Sequence, residues 1–360
     1  MWGRPGRAKL RTVLGRVPYL LLTTAAVVAA CGDGSSPLAR GPDGGAGGVG
    51  GGGGGSEATS TTTSGQGGVG GVVEPPGPTT VTLVNGVVDA DAVRFCFRPF
   101  PGADTGLQPW PGPSGLGYAR SGVLDTIAQV IPAGSDVEAF VVAGDLGQVG
   151  GANCDQLVDT PPTGVLVRSV GVLPQSALEA ERSLLFVAAG CVGGAGHEDE
   201  NEELICGPGY DPSFGNAGLV AGFMSRISRF DGISMQFVQA SQATNPYDLR
   251  LRTSSDSTAS LIVPSWSVGA IAPFPPYASL SRSAFLSPGL AKVGVFASGN
   301  PTTAVFEQSW DDIFANSPLE PNAVDDGDNL VFIAVGPAAP IQASDWWNGI
   351  AFTVVDGAPE

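Results

Sequence analysis

From about residue 78 onward the chain consists of apolar runs only 4–7 residues long, rich in Val, Phe and Leu and bounded by Gly, Pro, Asn and Asp. Runs at 81–84, 93–97, 137–142 and 184–188 are examples, with no helical periodicity of useful length between them. Short runs punctuated by turn residues predict an all-β sandwich or barrel. About 280 residues would be large for one sandwich, and internal repetition accounts for the length. The chain matches itself at an offset of about 150: residues 82–86 recur at 236–240, and Phe95 and Phe97 fall on Leu249 and Leu251. Residues 131–134 and 140–144 meet 286–289 and 295–299, and 183–190 meets 329–336. Leu219 to Met224 and Ile350 to Val355 read as the last strand of each copy. The expected architecture is two tandem antiparallel β-sandwich domains of immunoglobulin-like type, over 78–229 and 230–360.

The first 30 residues predict export. Arg4, Arg7, Lys9, Arg11 and Arg16 precede an apolar stretch at 17–30 that is too short and too polar for a stable membrane span. The small residues before Cys31 resemble the lipobox of bacterial lipoproteins. That resemblance implies cleavage before Cys31, acylation of its thiol and an anchor in the membrane. Removing Cys31 leaves Cys96, Cys154, Cys191 and Cys206, an even number in an exported chain, and oxidising compartments favour pairing. Of three connectivities, Cys96–Cys154 and Cys191–Cys206 are preferred, because the second closes a short loop and the first lies within one domain. Zinc is disfavoured, since close CxxC-type pairs are absent.

Residues 31–77 read as a tether. Nineteen of the 46 residues after Cys31 are Gly, and little there could build a core. Such a chain has a root-mean-square reach of about 40 Å. Beyond the leader, 12 basic residues face 34 acidic ones, a formal charge of −22. That field repels DNA, RNA and anionic headgroups, so nucleic acid is not an expected partner.

The segments VNGVVDADAVRFCF, IPAGSDVEAFVVAG and SLLFVAAG resemble the family catalogued as domain of unknown function 4397. The resemblance covers most of 78–190 and, more loosely, 231–356. It implies an exported bacterial protein with tandem β-sandwich copies. The second copy departs by carrying Gln239 and lacking the Asp-Ala pair. The family brings no established activity, so no catalytic residue is carried over.

Candidate chemistry is sparse. His197, the only histidine, sits in a hydrophilic acidic insertion without a Gly-x-Ser-x-Gly elbow anywhere in the chain. Its five neighbouring carboxylates could gather calcium, but the EF-hand pattern is missing and a charge run is usually a solvated loop. The acids at 325–328, and Asp89 with Asp91, read as turn residues before apolar strands. No metal or other cofactor is expected. Each copy also has a Pro-rich loop with aromatics, Trp110 and Tyr118 in the first, Trp266 and Tyr277 in the second. Such rings can present a binding face or fold back to plug the sandwich. Trp346–Trp347 invites the same question, with one ring in and one out if extended. The resulting expectation is a non-catalytic structural or binding protein of the cell envelope, held at the outer membrane, with an unknown ligand. The alternatives are an extracytoplasmic hydrolase and a calcium-stiffened adhesin.

Overall fold

The computed structural model describes residues 74–359 apart from 125–126, 180, 195–201, 230, 243–245, 254–257, 274–277, 286–290 and 340–342. The leader, Cys31 and most of the expected tether lie outside the described residues, as do His197 and Tyr277.

The first sandwich contains β1 (Thr80–Val87), β2 (Ala92–Phe100), β3 (Leu116–Gly117), β4 (Ser121–Val123), β5 (Asp136–Gly144), β6 (Val165–Leu173), β7 (Ser183–Gly190) and β8 (Gly218–Met224). Short helices α1 (Cys154–Asp159), α2 (Gln175–Leu178) and α3 (Glu202–Cys206) lie in its connections. The second contains β9 (Ile233–Gln239), β10 (Tyr247–Thr253), β11 (Ser260–Trp266), β12 (Ile271–Ala272), β13 (Ala278–Leu280), β14 (Ala291–Ala297), β15 (Ala304–Ser309), β16 (Asn329–Val335) and β17 (Ala351–Asp356). Helices α4 (Arg282–Phe285) and α5 (Trp310–Ala315) belong to it.

The two copies share one topology. Sheets β4-β1-β7-β8 and β3-β2-β5-β6 form the first, and β12-β9-β16-β17 and β11-β10-β14-β15 the second. All ladders are antiparallel except β1–β7 and β9–β16, which are parallel. The repeat is visible in register: Thr82 lies opposite Leu185, and Gln236 opposite Val331, the positions that the self-match equates. One segment of that match needs correction. Phe95 faces Val141 and Leu249 faces Val295, so Val295 corresponds to Val141 rather than Phe140. A slip of one residue exchanges the faces of a strand. Alternation could not expose the slip, because β5 is buried on both sides. Ala139 and Val141 enter the sandwich core, while Phe140 and Val142 pack with Cys96, Cys154 and Leu157 beneath α1.

Terminal glycines of the matched strands have a physical reason. Gly190 and Gly336 both have positive φ, +88° and +147°. A Cβ on Gly190 would come within 2.9 Å of the Asn216 carbonyl, and one on Gly336 within 2.7 Å of the Ile350 backbone. Both chains turn where the following strand crowds in, which only glycine tolerates.

The inner sheets of the two sandwiches pack against each other. Along β7, Leu184, Phe186 and Ala188 enter the first core, whereas Leu185 and Val187 point the other way. Along β16, Leu330, Phe332 and Ala334 enter the second core, whereas Val331, Ile333 and Val335 point to the first sandwich. Val84, Ala119, Met224, Val238, Ala240 and Val355 complete this third cluster. The molecule is therefore four β layers deep, and continuous rather than alternating apolar sequence is what doubly covered strands require. Full burial of each Val, Leu or Ile stabilises by about 1.5–3 kcal/mol relative to exposure. Polar bonds frame the junction: Gln236 Oε1 accepts from the Ser225 amide at 2.8 Å, and Asn329 donates to the Ser225 carbonyl.

Gly86 allows the sheets to approach. A Cβ there would meet Val335 Cγ1 at 2.7 Å and the Ala188 carbonyl at 2.9 Å. Gly86→Ala is therefore expected to lower unfolding free energy by about 1–3 kcal/mol through overpacking. Val335→Ala in the same chain should restore part of it. Denaturant titration checks both, and a neutral Gly86→Ala would mean the sheets are farther apart.

Candidate functional site

The ends of the inner sheets differ in what they carry. At the end where β1 begins, Glu74 accepts from the Arg226 amide and from the Ser225 hydroxyl, the latter at 3.1 Å. The Arg226 guanidinium donates to the Pro78 carbonyl, to the Glu181 carbonyl at 2.9 Å and to the Ser183 hydroxyl at 2.9 Å. Residues 74–79 are thus pinned to the floor of the first sandwich, and part of the expected tether is folded. β1 spans eight residues, so its far end lies roughly 26 Å away.

Three connections close that far end. Residues 88–91 turn between β1 and β2, where Asp89 accepts from the amides of Val192 and Gly193 at 2.8 and 2.9 Å. Residues 191–217 link β7 to β8 and are closed by the Cys191–Cys206 disulfide. Within them Asn216 Oδ1 accepts from the Cys191 amide at 3.0 Å, and its Nδ2 donates to the Cys206 carbonyl at 2.8 Å. Residues 336–350 come from the second sandwich, between β16 and β17. They reach across to the first: the Asn348 amide donates to the Val88 carbonyl at 2.8 Å, and the Ala338 amide to Ile205 at 2.9 Å.

A small core holds these connections together. Val88, Cys191, Ile205 and Cys206 are buried, with Tyr210, Trp346 and Trp347 packed on them half-buried. Trp346 and Trp347 meet edge to face, ring centroids 4.8 Å apart, and neither belongs to a strand. The in-and-out arrangement expected of an extended pair is therefore replaced by a mutual contact. Phe214 is 73% exposed. It stands on a turn whose Asp211 accepts from the amides of Ser213, Phe214 and Gly215. Burial pushes the Tyr210 phenol up, reinforced by Glu202, Asp89 and Asp211. The local field is negative.

Three of the aromatics singled out in the sequence, Trp266, Trp110 and Tyr118, serve the interior. Trp266 is 1% exposed, opposite Tyr247, with Nε1 donating to the Ala270 carbonyl at 3.3 Å. Trp110 is half-buried against the first core, bridged to Phe95, with its ring over Gly122 of the other sheet. Both plug an open side between two sheets, so neither offers a stacking face on a free loop. Tyr118 lies in the junction, its hydroxyl donating to the Gly349 carbonyl at 2.7 Å, and burial pushes its phenol up. It is a tie between the sandwiches.

Cys96 pairs with Cys154 and Cys191 with Cys206, the preferred connectivity. Two disulfides indicate an oxidising, extracytoplasmic environment. No helix among the described residues is long and apolar enough to cross a membrane. The acids at 325–328 work as turn residues: Asp325 pairs with Arg282 at 2.9 Å, and Asp328 accepts from the Asp325 amide. A shallow cleft lined by Asp104, Asp155 and Asp159 is closed by Arg98, which pairs with all three at 3.0–3.4 Å. Asp155 also accepts from the amides of Thr105 and Gly106. These carboxylates secure α1 beside the Cys96–Cys154 bridge.

Sequence reading missed the composite end, because its pieces lie about 100 residues or more apart and the third connection comes from the other repeat. The disulfide closing a 15-residue separation should contribute about 3 kcal/mol. A Cys191→Ser/Cys206→Ser variant is expected to unfold earlier and to red-shift tryptophan emission as Trp346 and Trp347 loosen. Unchanged stability and emission would show that the bridge does not support the aromatic cluster. No protein-family profile matches this chain, and no curated protein does.

Proposed function

We propose that this chain is a non-catalytic binding protein of the bacterial cell envelope, lipid-anchored at Cys31 in the outer membrane and projected on a flexible spacer. The resemblance to the domain of unknown function 4397 family belongs to this proposal, its motifs lying on β1–β2, β5 and β7. One observation carries the reading. The polypeptide leading from Cys31 joins the folded part at Glu74, beside Arg226, while the disulfide-closed aromatic end is at the opposite pole. An anchored chain built this way holds that pole away from the bilayer. The tripartite leader and the paired cysteines support the same compartment. The two sandwiches move as one, since a large apolar junction suppresses the relative motion otherwise expected of linked domains. A rigid head suits presentation rather than closure around a substrate.

Metabolic labelling with radioactive palmitate in a bacterial host tests the anchor. The full chain should take up label and fractionate with membranes, and Cys31→Ala should lose the label and become soluble. An unlabelled full chain, or label persisting in Cys31→Ala, would contradict the proposal.

A further inference from the structure

The long sheet edges among the described residues are shielded, with one exception. An edge strand offers a row of unpaired amides and carbonyls, which proteins shield with bulges, charges, Pro or a covering element, or keep very short. β3, β4, β12 and β13 are two or three residues long. β6 is bulged and carries Arg168, β11 is bulged and carries Pro264, and β15 is bulged and carries Glu307. β17, the counterpart of β8 in the second sandwich, is covered by the end of α5 and by β15. Its Phe352 and Val354 carbonyls accept from Asn316 and Ser317 at 3.3 and 2.6 Å, and its Phe352 amide donates to Gln308 at 2.8 Å. β8 has no such shield. Residues Gly218–Met224 hold neither charge nor Pro, and their register with β7 is unbroken. Among the described residues, no backbone group of β8 bonds outside the ladder with β7. Ala221, at its centre, is exposed.

We infer that β8 is the contact through which two copies of this chain pair, edge to edge and antiparallel, joining sheet β4-β1-β7-β8 of each into one. The inference goes beyond the proposed envelope role and does not depend on the anchor. Three observations select a second copy as the occupant. First, the strand is self-complementary. A two-fold axis at Ala221 sets Leu219 opposite Phe223 of the other copy, Val220 opposite Gly222 and Gly218 opposite Met224, a closed isologous contact. Leu219 and Phe223 lie half-buried on one face, at the rim of the first core, and aliphatic–aromatic pairs across strands are stabilising. Second, copies of a chain with a formal charge of −17 repel each other over most of their surface. A contact of like with like needs an uncharged strip, which residues 218–224 supply. Third, the two ends of the strand are complementary. Exposed Asp211 and Phe214 stand on the turn that leads into β8, and Arg168 of β6 holds this turn through the Ser213 carbonyl at 2.9 Å. At the other end exposed Arg182 lies over the Phe223 ring, 5.0 Å from its centroid. Antiparallel pairing carries the turn of each copy to the Arg182 end of the other. A carboxylate and an aromatic ring are the groups a guanidinium engages.

Sedimentation equilibrium of the full chain in density-matched detergent micelles tests the pairing, with the mass expected to rise from monomer to dimer with concentration. Ala221→Lys sets two ammonium groups opposite each other across the axis. It should raise the dissociation constant about tenfold or more, with an unchanged circular dichroism spectrum. Ala221→Cys provides a second readout. Directly opposed residues have Cα atoms about 4.5–5.5 Å apart, within disulfide reach. Mild oxidation should therefore cross-link Ala221→Cys much faster than Ser267→Cys, an exposed position away from β8. A chain that is monomeric at every concentration would overturn the inference and leave the edge to a strand of another protein. A dimer indifferent to Ala221→Lys, or equal cross-linking of the two cysteine variants, would also overturn it.

Discussion

The face-to-face packing of sheet β4-β1-β7-β8 on sheet β12-β9-β16-β17 organises this molecule. It turns β1, β7, β9 and β16 into strands buried on both sides. Leu185, Val187, Val331, Ile333 and Val335 would face water if the sandwiches were independent. Apolar burial of that kind is the main favourable term in association and is not given up by small displacements. Tyr118, Asn348 and Arg120 add bonds across the seam, to Gly349, Val88 and Ala315. The tandem repeat therefore behaves as one body, although each copy has a complete core of its own.

That junction also creates the candidate surface. Trp346 and Trp347 belong to the second sandwich, while Tyr210 and the Cys191–Cys206 bridge belong to the first. They become neighbours only because the sheets align so that Val335 lies over Gly86 at the same end. The opposite end, with Glu74 held by Ser225 and Arg226, receives the chain from the anchor side. A polarity along the strands results, with attachment at one pole and aromatic, acidic loops at the other.

Much of the fold was legible in the sequence. Turn-bounded apolar runs reported strands, and the self-match reported the repeat, with Thr82 and Gln236 in equivalent registers. The short spacing of Cys191 and Cys206 favoured their pairing. What escaped was the second use of the inner strands. SLLFVAAG and NLVFIAVG are apolar at every position or nearly so, which is the signature of two covered faces, yet it does not name what covers the second. The same lack of alternation in β5 concealed a one-residue slip at Phe140. Pro-flanked Trp266 resembled a loop-tip ring because sequence cannot distinguish a plug from a display. Trp346 and Trp347 were noticed, but their base of Ile205 and Cys206 lies some 140 residues earlier.

Native-state hydrogen exchange across the inner sheets tests this account most directly. If the junction unites the sandwiches, the amides of β1, β7, β9 and β16 open together, with free energies equal to that of global unfolding. Exchange of β9 and β16 at a lower free energy, with β1 and β7 still protected, would show two separable domains and contradict the account.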